Sequence, residues 1–264
     1  MIIKRKQKDY SLVSDLYHSG IKRTGKKYIG RTRVKIANAL QKSIDKGKAE
    51  RQEIIKQLDA PGKTDPSKFR NKMDKVANDL NTFTIDAPDA STLSVKKSDF
   101  LEVIPATDRE TANKLLNGKS HVAVLGKGSN NILAYPHELG HIKRDIKSGG
   151  KSMKAAIDAR DNIETSSDKI SDSIKNFKNH TIIVNEERGA SKEAIKLLKK
   201  NGASKEEIKE AKDRAISAER TYKLSRKRDT ILPILKKVEL SKWKGNTKKR
   251  MLRDRLREAK HERI

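Results

Sequence analysis

Cysteine is absent from the 264-residue sequence, so neither a disulfide nor a thiolate metal ligand can form. Any metal site in this chain must therefore use histidine and carboxylate ligands. Aromatic residues make up only 4% and hydrophobic residues 34%, which favours a compact core with thinly packed helical flanks. No apolar run reaches the roughly 18 residues of a membrane span, and the first residues lack the apolar stretch of a secretory signal. We therefore expect a soluble, cytoplasmic protein.

Basic residues are what the sequence has in excess. There are 62 Lys and Arg against 35 Asp and Glu, which gives a formal net charge of +27. Such an excess predicts attraction to polyanions such as nucleic acid, anionic lipid or acidic protein surfaces. No aromatic platform or base-reading motif accompanies the charge, however. A lysine-rich solvated surface is therefore the competing interpretation.

Composition divides the chain into four parts. Residues 1–84 are basic and helix-friendly, with Gly and Pro clusters at turns, and predict a helical arm or subdomain. Residues 85–99 are polar and predict a linker. Residues 100–235 are expected to form the main domain, and residues 236–264 a basic, exposed helical tail.

Within the main domain, short strands and helices alternate before a series of longer helices. The run "FLEVIPA", which begins at Phe100, is apolar and bounded by Pro, which is typical of a strand. Thr107 and Glu110 have the spacing of a capping box and predict a short helix. "HVAVLG", from His121, reads as a second strand, and amphipathic helices follow. The pattern predicts an α+β fold that is mostly helical.

The segment "AYPHELGHIKRD" (Ala134–Asp145) contains two of the six histidines, four residues apart. On an α-helix, His137 and His141 share one face and can bind one metal ion through their ring nitrogens. Glu138 lies about 100° round the helix, where it can accept a proton from a metal-bound water. Gly140 leaves space for another backbone to approach closely. The spacing thus predicts a metal site with its own base, although such a motif also arises by chance on solvated helices.

Two neighbouring features indicate how this helix is placed. Pro136 fits the first turn of a helix but not its interior, so the helix should begin just before His137. Leu139 and Ile142 predict that the helix is partly buried.

A catalytic zinc usually takes three protein ligands, so a third must come from elsewhere. The other histidines do not extend the motif in sequence: His18, His121, His180 and His261. The later segment "NEERGASKEAIKLL" offers Glu186 and Glu187. Glu187 lies on the apolar stripe of a predicted helix, and an acidic residue on an inward face is costly unless it is paired or binds metal. We favour Glu187 as the third ligand, with Glu186 as the alternative. If no metal binds, both are ordinary surface glutamates on a charged helix.

The sequence HELGH, followed about forty-five residues later by Glu187-x-x-Ala190-Ser191, resembles the gluzincin metallopeptidases. It is nearest to the small neutral zinc metallopeptidases, whose second motif reads E-x-x-A-S/D before an A-x-x-L-L helix. The later Thr221-Tyr222 pair is similar to a helix found in one membrane-associated branch. The resemblance covers roughly residues 100–235. The transmembrane helices of that branch have no counterpart in this sequence.

The resemblance implies a zincin-like core, in which a small sheet packs on the HExxH helix and on a second ligand helix. It implies a Zn²⁺ ion held by His137, His141 and Glu187, with Glu138 as general base and later proton donor. The implied activity is hydrolysis of a peptide or protein substrate by a zinc metallopeptidase.

Three further expectations come from the same resemblance. Ser191, one turn after Glu187, is expected to hydrogen-bond a ligand. Tyr222 is a candidate catalytic donor to the developing oxyanion, with simple packing of its helix as the alternative. The strand that begins at His121 is expected to pair with extended substrate through its main chain.

A second hypothesis belongs to another class. A basic, non-catalytic structural or nucleic-acid-binding protein, for example from a phage or mobile element, could use the zincin-like fold without turnover. The basic arm and tail motivate this hypothesis.

Overall fold

The computed structural model describes residues 26–242, which form eight helices and one three-stranded sheet. The predicted α+β, mostly helical fold is therefore confirmed. Residues 1–25 of the predicted arm and 243–264 of the predicted tail lie outside the described residues. The elements, in chain order, are α1 (Lys26–Asp59), α2 (Ser67–Asp79), β1 (Thr82–Ser91), β2 (Leu93–Lys96), α3 (Lys97–Val103), α4 (Arg109–Leu115), β3 (His121–Lys127), α5 (Ala134–Lys147), α6 (Lys151–Asp161), α7 (Ile170–Lys200) and α8 (Lys205–Lys242).

The sheet corrects the prediction that residues 85–99 form a linker. Residues in this range build most of β1, all of β2 and the start of α3. The sequence there is polar, but β1 and β2 are ordered by pairing with the apolar strand β3. Pro88 occurs in β1 where the register with β3 shifts, which is a position that tolerates proline in a strand.

Strand β3 is the middle strand, parallel to β1 and antiparallel to β2. The strand that begins at His121 was correctly predicted, but its expected role in substrate pairing was wrong. Both of its edges are already hydrogen-bonded within the sheet, so it has no free main-chain groups to offer a substrate. The outer edges of the sheet belong to β1 and β2.

The segment predicted as a strand from Phe100 is instead the helix α3. Phe100 and Leu101 pack against the buried face of the sheet, whereas Val103 is 79% exposed. This burial pattern follows one turn of a helix rather than the alternation of a strand. The short apolar run alone did not distinguish the two.

Two pairs in the sequence have the spacing of a capping box, Thr107 with Glu110 and Ser204 with Glu207, and they differ in the structure. At the start of α8, Ser204 N donates to Glu207 Oε2 at 2.7 Å and Glu207 N donates to Ser204 Oγ at 3.2 Å, which confirms the reciprocal box. At α4 the helix starts one residue later than the box requires, and its N-cap, Asp108, makes no side-chain capping bond. Thr107 hydrogen-bonds Asp108 instead.

The predicted boundary at residue 84 does not separate two cores. Three residues of α2 lie on one helical stripe and are buried in the same cluster as α5 and α7: Phe69, Met73 and Ala77. Helix α1 packs along the second half of α8 through its own small cluster. Helix α8 continues through residue 242, so the start of the predicted tail belongs to this helix.

Helix α5 packs across one face of the sheet, where Leu139 and Ile142 join Ala123 and Leu125 of β3 in the core. Two polar contacts fix its ends. Near the start, the Tyr135 hydroxyl contacts Thr84 Oγ1 at 2.7 Å and donates to an α2 aspartate at 2.8 Å.

Near the end of α5, the fully buried Asp145 contacts His121 Nε2 at 3.2 Å and accepts a bond from Met153 N at 3.0 Å. Lys96 of β2 adds a cation 3.8 Å from the same carboxylate. A buried carboxylate is tolerated only with such partners. The HExxH segment is thus held at both ends by sheet and helix neighbours.

Candidate metal centre

The two histidines lie in the first turns of α5, which begins at Ala134. Pro136 therefore falls in the first turn, as predicted, where its missing N–H removes no helical bond. The amide of His137 is a first-turn donor and bonds Leu133 O at 2.9 Å. The side chains of His137 and His141 then follow each other on one face.

The backbones of helices α5 and α7 approach each other closely at Gly140. A Cβ atom at this position would lie 2.4 Å from the carbonyl oxygen of Ala190. Real Cβ atoms do not approach backbone so closely, so only glycine permits this crossing. The predicted role of Gly140 is confirmed. The contact brings the α7 segment that carries Glu187 beside the two histidines.

Three side-chain atoms form a compact triangle at this crossing. His137 Nε2 lies 3.1 Å from His141 Nε2 and 3.2 Å from Glu187 Oε2, and the third side, from His141 Nε2 to Glu187 Oε2, is 3.6 Å. A tetrahedral ion with bonds of about 2.0–2.1 Å holds its ligand atoms about 3.3 Å apart. The three predicted ligands therefore form a group that could hold a metal ion.

The other nitrogen of each histidine has its own partner. Ser191 Oγ lies 3.1 Å from His137 Nδ1, which is the hydrogen bond expected for this serine. Glu186 Oε1 lies 3.3 Å from His141 Nδ1. Such partners fix the ring orientation and direct the opposite nitrogen, here Nε2, toward the shared point.

The role of Glu186 was missed by sequence reasoning, which considered it only as an alternative ligand. Its side chain is buried and accepts hydrogen bonds from Arg144 Nε and Nη2, the shortest being 2.8 Å. The guanidinium fits there because residue 189 is glycine: a Cβ atom at Gly189 would lie 2.2 Å from Arg144 Cζ. Gly189, three residues after Glu186, was the sequence signal that a side chain from α5 packs over α7.

The register of the antiparallel pair α7 and α8 brings Tyr222 to the site. His180 Nε2 and Asp229 Oδ2 form a buried pair at 2.9 Å. Glu187 comes seven residues after His180, and Tyr222 seven residues before Asp229, so they face each other two turns further along. The charge of the Glu187 carboxylate accordingly acts on the Tyr222 hydroxyl.

Glu138 also faces this centre. Its side chain is largely buried, and its charge acts on both His141 and Tyr222. It is not one of the three atoms of the triangle. The structure therefore places the Glu138 carboxylate beside the three candidate ligands rather than among them.

The electrostatics of the cluster favour a bound cation. Burial alone would raise the pKa of Glu187, but hydrogen bonds from His137 and His141 reverse this and hold the pKa far below its usual range. Burial alone would lower the pKa of His141. Hydrogen bonds to Glu186 and Glu187 outweigh this effect, and the pKa is raised to about 10. The ionised carboxylates thus attract positive charge to the imidazoles, whether a proton or a metal ion.

Tyr222 remains a proton donor in this setting. Burial, followed by the charge of Glu187, raises its pKa above the ordinary tyrosine value. Its hydroxyl therefore stays protonated at neutral pH.

The remaining described histidines serve elsewhere. His121 and His180 each pair with a buried aspartate, Asp145 and Asp229, outside the metal group. His18 and His261 lie outside the described residues.

Within residues 26–242, no helix is both long enough and apolar enough to cross a membrane. No family model, curated protein or solved structure matches the chain.

Replacing Gly140 with Ala tests whether the close helix crossing forms the metal group. The added Cβ must push the α7 backbone away, so we expect a loss of about 1–3 kcal/mol in the free energy of unfolding and weaker zinc binding. Urea denaturation and zinc titration measure the two effects.

Gly47→Ala is the matched control, because the nearest atom to its Cβ would be Leu224 Cδ2 at an ordinary 3.9 Å. Because Gly47 is inside a helix, its replacement with Ala should leave the free energy of unfolding unchanged or raise it by up to about 1 kcal/mol. Equal behaviour of the two variants in both measurements would contradict the role given to the crossing.

Proposed function

We propose that this chain is a zinc-dependent metallopeptidase of the HExxH…E, gluzincin-like type. The observation that carries the proposal is the triangle of His137 Nε2, His141 Nε2 and Glu187 Oε2, with sides of 3.1–3.6 Å. A second carboxylate, Glu138, lies beside this triangle without being part of it. Two histidines, one distant glutamate and an adjacent base form the donor set expected of a hydrolytic metal centre.

The donor chemistry favours zinc among the common metals. Two imidazole nitrogens and one carboxylate oxygen suit Zn²⁺, whereas Mg²⁺ and Ca²⁺ prefer oxygen ligands throughout. Three protein ligands leave one tetrahedral position for water, which is the arrangement of catalytic rather than structural zinc sites. When bound, zinc lowers the pKa of that water and polarises the scissile carbonyl.

The residues of the chain then have distinct roles. His137, His141 and Glu187 hold the ion, while Ser191 and Glu186 keep the two imidazoles oriented. The Glu138 carboxylate accepts the proton of the attacking water and later delivers it to the amine of the leaving peptide. Its partial burial strengthens this proton transfer by limiting bulk water around the carboxylate.

Tyr222 is proposed as the donor that stabilises the developing oxyanion. Burial and the charge of Glu187 raise the pKa of its hydroxyl, which therefore keeps its proton beside the metal group. A donor aimed at the position where negative charge develops contributes to the transition state rather than to substrate binding. The buried His180–Asp229 pair maintains the helix register that this role requires.

Edge strand β2 is proposed as the place where extended substrate pairs with the main chain. β2 is antiparallel to β3, and its outer edge forms one side of the sheet. It lies next to α5, where Lys96 approaches Asp145. The other edge strand, β1, is flanked by α2, whose Arg70 is bonded to Asp86. β2 is therefore the edge of the sheet better placed to add a peptide strand beside the metal group.

A zincin-like core is part of this proposal, and three elements support it: a small sheet, a helix with the HExxH residues and a second ligand helix that crosses it. The substrate class is a peptide or protein with an extended segment at the cleavage site.

Replacing Glu138 with Gln removes the proposed base and retains the size of the side chain. We expect peptide hydrolysis to fall by about 10²–10⁴-fold, since the water loses its proton acceptor. Zinc content should stay at one ion per chain, because Glu138 is not a ligand. The measurements are turnover of a mixed peptide library by mass spectrometry and metal analysis. Wild-type protein that binds zinc but hydrolyses no peptide would favour the non-catalytic alternative.

Replacing Tyr222 with Phe tests oxyanion stabilisation separately from packing. The ring remains, so the helix contacts are kept, but the donor is lost. We expect kcat to fall by about 10²-fold with little change in KM or zinc affinity. An unchanged kcat would show that Tyr222 only packs its helix.

A further inference from the structure

A second concave site is lined by none of the residues of the metal group. It is a cavity of about 650 Å³ between α2, the end of α5 and the C-terminal end of α7. Four lysines from three helices line it: Lys72, Lys75, Lys143 and Lys200. The only acidic residue of the lining is Asp79.

This site is separate from the candidate metal centre. Lys143 comes six residues after His137 and two after His141 on α5, which separates it from them by about 120° and about 160° round the helix. None of the lining residues belongs to the metal group or contacts its ligands, among the contacts found within the described residues. The two sites can therefore be altered independently.

The positive charge of the cavity is only partly neutralised. Lys143 pairs with Glu193 at 2.9 Å. Lys72 donates to the Asn201 carbonyl at 2.6 Å, which caps the end of α7 but leaves the charge uncompensated. Lys75 and Lys200 form no ion pair with any described residue. Helix capping thus accounts for Lys72 and ion pairing for Lys143, whereas Lys75 and Lys200 leave the cavity with excess positive charge.

The lining chemistry selects the kind of anion. Lysine ammonium groups act as point charges that suit phosphate, whereas reading of bases needs arginine forks or stacking aromatics. The lining has neither. A groove also suits a flexible charged strand better than the flat surface of a bilayer. The net charge of +27 adds long-range attraction to any polyanion.

We propose that this lysine-lined cavity binds phosphate groups of a nucleic-acid backbone, without preference for base sequence. The binding is electrostatic and therefore weakens with salt as bound counterions are released. It does not depend on the proposed peptidase activity.

The test compares two double variants of the full chain. Lys75→Gln/Lys200→Gln removes two charges from the cavity, and Lys154→Gln/Lys178→Gln removes two from exposed positions on α6 and α7 outside it. Binding of fluorescein-labelled dT20 and of a mixed-sequence 20-mer is measured by anisotropy between about 50 and 200 mM salt. Anionic vesicles of phosphatidylcholine and phosphatidylserine serve as the membrane probe.

We expect the cavity variant to bind both oligonucleotides on the order of tenfold more weakly. The slope of log Kd against the logarithm of the salt concentration should decrease by about 1–2 for this variant, since up to two phosphate contacts are lost. The control variant should retain nearly wild-type affinity and slope, and both should retain zinc binding. Equal weakening of the two variants would overturn the proposal by showing diffuse charge attraction. So would unchanged oligonucleotide binding, or a loss confined to vesicles.

Discussion

The close approach of two helix backbones at Gly140 and Ala190 is the constraint on which the candidate centre depends. Glu187 lies about forty-five residues beyond the histidines in sequence, and only a tight crossing brings its carboxylate within 3.2 Å of His137. Any side chain at residue 140 would meet the Ala190 carbonyl. One absent Cβ thus allows three candidate ligands from two helices to meet at one point.

Buried polar pairs add to the apolar core in holding the crossing. Asp145 ties the end of α5 to the sheet, the Arg144–Glu186 pair joins α5 to α7, and His180–Asp229 aligns α7 with α8. Buried ion pairs often add little net stability, but they are specific, because displacement of one partner leaves a buried charge unpaired. A chain with 34% hydrophobic and 37% charged residues can therefore still fix the geometry of a site.

The sequence predicted the candidate site better than it predicted the sheet. Helical spacing placed His137 and His141 on one face, and the apolar stripe around Glu187 indicated an inward carboxylate. These inferences depend on local periodicity, which a single sequence displays. Glu186 was predicted only as an alternative ligand, because its burial and orienting role depend on Arg144 from another helix and no local pattern shows that contact.

The polar strands were missed for a related physical reason. Residues 85–96 lack the alternation of a typical strand, and their order comes from pairing with β3. Strand formation depends on such non-local partners more than helix formation does. The same pairing covers both edges of β3. The proposed site of substrate pairing is therefore the edge strand β2.

Metal analysis of purified wild-type protein beside Glu187→Ala and Glu186→Ala tests the central claim most directly. All three proteins are supplied with zinc and freed of excess ion by gel filtration. We expect one zinc per wild-type chain and loss of the bound ion in Glu187→Ala. Glu186→Ala should keep the site with affinity reduced by about 10–100-fold, since it orients His141 rather than binding the ion. A wild-type chain without stoichiometric zinc, or a Glu187→Ala variant with undiminished affinity, would contradict the account.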